Sequence, residues 1–151
     1  MKPKQWIAVL ILHFFSICLP ADVCFELWQL PSQTPSQMNS YVIKTETDSV
    51  IVIDGGNTGD ASYLRGFLAA LGNKVDYWFI THPHPDHIDA FIEIIKSPAD
   101  LQIENILGSM PEEEWIEKYE PIHLQTIKNL NKALKESDHK MCELVPGQLI
   151  E

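Results

Sequence analysis

Val75-Asp76-Tyr77-Trp78-Phe79-Ile80-Thr81 runs directly into His82-Pro83-His84-Pro85-Asp86-His87. The first seven residues, rich in aromatic and β-branched types, predict a buried strand. The next six hold three of the chain's six histidines and one carboxylate. Imidazole and carboxylate are the donors that borderline divalent ions prefer, so the cluster reads as a set of metal ligands. Pro83 and Pro85 restrict His82 and His84 to extended backbone. Residues two apart on extended chain share a face, which lets both imidazoles point the same way. Preset dihedrals also reduce the entropy lost when such a loop is ordered.

Working outward, Tyr41 to Lys44 and Val50 to Ile53 are β-branched runs that predict a hairpin turning at Thr47-Asp48. The second run is apolar throughout, as in a strand covered on both faces, and ends at Asp54-Gly55-Gly56, a sharp turn suited to glycine. Thr58 or Asp60 is placed to cap a helix carrying Ala61, Leu64, Phe67, Leu68 and Leu71, stopped by Gly72. Asp86 stands where the N-cap of the next helix is expected, ahead of Ile88, Phe91, Ile92 and Ile95. Ile103 to Leu107 predicts another central strand. Helices are expected from Pro111 to Tyr119 and along Leu124, Ile127, Leu130 and Leu134. Beyond them Glu143-Leu144-Val145, Pro146-Gly147 and Leu149-Ile150 suggest a hairpin whose second strand has just begun. The alternation makes an α/β domain.

The 151 residues are one domain's worth. Lys2 and Lys4, an apolar stretch from Trp6 to Leu19, and Pro20-Ala21 have the layout of a secretory signal peptide over residues 1–21. A helix of that stretch is about 21 Å long, against about 30 Å for a hydrocarbon layer, so no stable membrane span is expected once it is cleaved. The mature domain is then 22–151, exported to a periplasmic or extracellular space. Both lysines and no acid leave with the leader, moving the net charge from −10 to −12. That balance, with no basic patch, argues against a nucleic-acid backbone as partner. Oligomeric state is not encoded in any pattern here. Cys24 and Cys142 could pair in an exported chain, or be two buried thiols.

An apolar strand ending Asp-Gly-Gly, a helix, and a strand delivering Thr-His-Pro-His-Pro-Asp-His resembles the metallo-β-lactamase-fold hydrolases over about Asn39 to Ser109. The resemblance implies a four-layer αββα sandwich with metals at one sheet edge, of which this chain supplies the N-terminal half, truncated at its C-terminus. It assigns His82 and His84 to a first metal, Asp86 and His87 to a second, and Asp54 to an orienting place beneath the loop. Asp86 is the catalytic candidate as well as a ligand. The implied cofactor is Zn²⁺, one or two ions, with other divalent metals possible. The implied activity is hydrolysis through a metal-bound hydroxide. Histidine rather than arginine at position 87 is more common among family hydrolases of thioesters, lactones and phosphodiesters than among true β-lactamases. A small molecule or a phosphodiester is therefore the substrate class implied. Asp89 departs from the family's usual glycine and is expected to favour its helix N-terminus through the dipole.

Other residues read more blandly. His123 and His139 are expected to face solvent, Glu112-Glu113-Glu114 to be a solvated helix start, and Trp115 with Tyr119 to pack on the core. Two functions stand side by side. One is a metal-dependent hydrolase that is incomplete in this chain. The other is a truncated, non-catalytic remnant that binds at most one metal or a partner, with an open edge strand favouring association.

Overall fold

The computed structural model describes residues 25–150. The leader-like segment 1–21 and Cys24 lie outside the described residues. Cys142 is exposed and unpaired among the described residues, so for this thiol the buried alternative is corrected.

Six strands form one sheet in chain order: β1 (Phe25–Gln29), β2 (Ser40–Thr45), β3 (Val50–Asp54), β4 (Lys74–Ile80), β5 (Gln102–Gly108) and β6 (Met141–Glu143). The first three are antiparallel; β3 to β6 run parallel. The predicted hairpin is present, with Tyr41 opposite Ile53 and Lys44 opposite Val50. Its turn places Asp48 at φ 63°, a left-handed conformation that aspartate tolerates better than most residues. Parallel strands require crossovers, and α1 (Ala61–Ala70) and α2 (Pro85–Lys96) provide the first two. Further on come α3 (Glu113–Tyr119) and α4 (Leu124–Glu136). No helix among the described residues is long and apolar enough to cross a membrane.

Helices cover one face of the sheet. Val42, Val52, Trp78, Ile80 and Ile106 meet Leu64 and Leu68 of α1, Phe91 and Ile95 of α2, and Ile127 and Leu130 of α4 in a single core. Trp78 is fully buried, edge-on to Phe91 at 5.0 Å, and donates its indole N–H to the Asp54 carbonyl oxygen at 3.0 Å. Burial of an aromatic pair is thereby coupled to the position of the residue that ends β3. The opposite face is less covered. Val50 and Val52 are buried but Ile51 and Ile53 are only half-buried, which corrects the reading of β3 as enclosed on both sides. An unbroken apolar run cannot by itself tell the two cases apart.

Three other expectations change. Asp86 is not the helix cap: His84 occupies that place with φ −90° and ψ 146°, and Pro85 takes the first helical position. Proline fits there because its missing N–H would have had no intrahelical partner. At the far end, Pro146-Gly147 does turn, with Gln148 N–H donating to the Val145 carbonyl at 3.1 Å. Leu149 and Ile150 form no strand, however, and β6 pairs in parallel with β5 rather than in a hairpin. Trp115 and Tyr119 are 45% and 57% exposed and lean on each other, so α3 reaches the core through Ile116 alone.

Candidate metal centre

β3 and β4 are parallel neighbours, so their carboxyl ends open on the same edge of the sheet, where Asp54 and Thr81 meet. Asp54 is 2% exposed and holds φ 58°. The turn behind it is stitched to α2: both Gly55 and Gly56 donate their N–H to the His87 carbonyl, and Ala90 N–H donates to Gly56 at 2.8 Å. Glycine is required here. A Cβ on Gly56, at φ +91°, would lie 2.5 Å from Met38 Cγ, and one on Gly55 would lie 3.1 Å from the Phe91 nitrogen.

The Asp54 carboxylate is fully engaged. Oδ1 accepts the Thr81 amide at 2.9 Å; Oδ2 accepts the Thr81 hydroxyl at 2.7 Å and lies 2.7 Å from His87 Nδ1. Thr81 has one hydroxyl proton, and it is committed to Asp54. The 2.9 Å contact of Thr81 Oγ1 with His82 Nδ1 must then run from the imidazole N–H to the hydroxyl oxygen. The same logic puts the His87 proton on Nδ1. Both rings are left with a bare Nε2, the form in which imidazole binds a metal. Asp54 thus contacts His87 directly and reaches His82 through Thr81.

Asp86 is held from the other side. Gln37 Nε2 and Asn39 Nδ2 each donate to its Oδ2 at 2.9 Å, and Asn39 N–H donates to its backbone carbonyl at 3.0 Å. The loop that carries these amides is anchored by fully buried Asp60, which accepts from Ser32 Oγ at 3.0 Å, Gln33 N at 2.6 Å and Asn57 N at 3.0 Å. Asp60 therefore secures a loop as well as the turn before α1.

Protonation suits metal binding. Burial pushes the His82 pKa down and favours the neutral ring. Burial pushes Asp86 up, but the hydrogen bonds it accepts, from Gln37 and Asn39 among others, hold the carboxyl below its usual range.

The four predicted ligands form a chain of neighbours, with His82 between His84 and His87 and slightly nearer to His87. His87 Nε2 lies 3.8 Å from Asp86 Oδ2; the His82 ring centre lies 3.9 Å from that of His87 and 4.3 Å from that of His84, while His84 and His87 stand 6.4 Å apart. His84 is not simply extended from His82, because its N–H donates to the His82 carbonyl at 3.0 Å across a bend at Pro83. A three-donor group also converges, and sequence reasoning missed two of its members: His84, Glu120 and His123 bring one ligand atom each within 4.8 Å of one another. His123 is half-buried and stacked on His84 at 3.8 Å, which corrects its reading as solvent-facing. His139 is half-buried beyond the C-terminal end of α4, near Ile95 and Lys96 at the last turn of α2, about 18 Å of helix from His84.

Residues 33–129 match the sequence model of the metallo-beta-lactamase superfamily. Among solved structures, the chain is similar to MEM-A1, a subclass B3 metallo-beta-lactamase isolated from a soil metagenome library. The TM-score is 0.40 and the identity 24%, with 52% of this chain and 29% of that one covered.

Proposed function

The chain belongs to the metallo-beta-lactamase superfamily, and from that premise we propose that it is a metal-dependent hydrolase, with a dinuclear zinc centre seated on His82, His84, Asp86 and His87. The observation that carries this reading is the Asp54–Thr81 network, which leaves the Nε2 atoms of two neighbouring histidines bare. A histidine whose other ring nitrogen is held by a carboxylate or hydroxyl is the usual form of a metal ligand. Divalent ions bound there would supply Lewis-acid activation of water and stabilise charge that develops on the substrate.

The chain's own residues have separate tasks. Asp54 and Thr81 fix ring orientation and tautomer at His82 and His87. Gln37 and Asn39 hold the Asp86 carboxylate ionised and aimed, with Oδ1 left free of both amides. The neighbouring exposed loop, residues 31–37, borders the site and is where substrate contacts would fall. His87, by family resemblance, favours thioesters, lactones or phosphodiesters as the substrates to try first. Residues 1–21 acting as a leader for export is part of the same proposal.

The test is hydrolysis by the full chain of a thioester, a lactone, a phosphodiester and a β-lactam, before and after chelation and zinc return. Turnover of one of the first three that disappears with chelator and returns with zinc is expected. Zinc uptake without turnover of any of the four would favour a non-catalytic binding role.

A further inference from the structure

Glu120 and His123 lie outside the pairing that the motif alone suggests, yet they converge on one of its members, His84. We propose that the three form a divalent-cation position of their own, separate from the Asp86 and His87 pair, in which the turn between α3 and α4 supplies two donors to the ion that His84 holds. The proposal rests on the reading of His84 as a metal ligand and adds to it the residues that complete the position.

The local sequence builds the arrangement. α3 closes with the Glu120 N–H donating to the Ile116 carbonyl at 2.8 Å, and Pro121 then opens a short 3₁₀ turn over Pro121–His123. In such a turn side chains three apart eclipse one another, so Glu120 and His123 stack on one side. α4 packs along α2 in the same direction, which brings its first residues beside His84 at the start of α2. Three donors from two separate segments converge because two helices share a core, not because they are close in sequence.

The donor atoms suit a cation better than they suit each other. His84 Nε2 lies 3.5 Å from Glu120 Oε2, long for a hydrogen bond yet close to the separation of two ligands around a tetrahedral ion with bonds of about 2.0–2.1 Å. His123 Nδ1 is buried with no hydrogen-bond partner, although a buried polar atom normally has one. The rings of His84 and His123 are stacked at 24°, so their in-plane lone pairs run side by side, and one ring must turn for both to meet the same ion. The set of two imidazoles and one carboxylate matches zinc or cobalt(II) and not calcium or magnesium.

The experiment is a titration of the full chain with cobalt(II), followed by visible absorption, in the wild type, Glu120→Gln, His123→Asn, and Asp86→Asn/His87→Asn with and without His123→Asn. Both Glu120 and His123 are partly exposed, and thermal melts confirm that each variant is folded. The Asp86→Asn/His87→Asn protein should keep one equivalent of cobalt with a tetrahedral spectrum, and adding His123→Asn should weaken it at least tenfold. In the otherwise wild-type chain, Glu120→Gln and His123→Asn should each weaken one equivalent and leave the other. Cobalt binding with unchanged stoichiometry, affinity and spectrum in both single variants would overturn this inference while leaving the motif pairs intact. A wild-type chain that takes up no cobalt would overturn the metal reading as a whole.

Discussion

His87 Nδ1 lies 2.7 Å from Asp54 Oδ2, and that single contact ties the end of β3 to the first turn of α2 and sets the tautomer of a candidate ligand. Replacing Asp54 with Asn keeps the shape and reverses the chemistry. The amide can donate toward Nδ1, which drives the proton to Nε2 and blocks the ligand atom. Zinc affinity, measured by competition with a chromophoric chelator, should fall by about 10- to 100-fold. Stability in urea should drop by about 1–3 kcal/mol, because a buried acceptor of three hydrogen bonds is altered. Unchanged zinc affinity would separate Asp54 from the site.

Asn39 holds Asp86 twice, through its side chain at 2.9 Å and its backbone N–H at 3.0 Å. Asn39→Ala removes only the first. A loss of zinc affinity of about tenfold is expected, with little change in the thermal midpoint. Equal losses of affinity and folding would mean that the side chain supports the loop and not the carboxylate.

Gly56 has no room for a methyl group and a backbone that an L residue adopts with strain. Gly56→Ala should destabilise the fold by about 2 kcal/mol or more in urea denaturation. A change of about 0.5 kcal/mol or less would show that Met38 yields more easily than its packing suggests.

Asp89 tests a place where the sequence departs from its family. Burial raises its pKa; the Thr58 hydroxyl, at 3.4 Å, opposes the shift, Glu93 adds to it and Lys96 opposes it. With the folded pKa above the unfolded value of about 3.9, folding is penalised at neutral pH, and the penalty fades as pH falls through the folded pKa. Asp89→Asn should therefore be slightly more stable than wild type at pH 7, by about 0.5 kcal/mol or less given its partial exposure. The advantage should shrink as pH falls through the folded pKa and be gone once pH is well below the unfolded value of about 3.9. A variant less stable at pH 7 would mean that the favourable helix-dipole interaction outweighs burial.

Much of this was legible in the chain. The hairpin of β2 and β3, the strand into the histidines and the helix after them follow from β-branched runs, helical spacing and the two prolines. The turn at Asp54 was legible because two glycines follow it; its place beneath the histidines came only from the resemblance. The remainder depends on which elements become neighbours. Nothing local to Gln37 or Asn39 marks them as holding Asp86, since that contact spans 49 and 47 residues. His123 looked solvent-facing because its partner, His84, is reached only through the packing of α4 on α2. Trp115 and Tyr119 had the spacing of a buried pair, yet a helix as short as α3 turns only Ile116 inward. The apolar β3 run could not reveal that its second face is half-open.

Whether the segment from His82 to His87 binds metal is read from the zinc content of the purified protein. The purified chain, loaded with zinc and freed of excess, should carry close to two ions by elemental analysis. The His82→Ala/His84→Ala protein, shown to be folded by its thermal melt, should lose at least one of them. A wild-type chain with less than one zinc, or a double variant with undiminished zinc, would contradict the account.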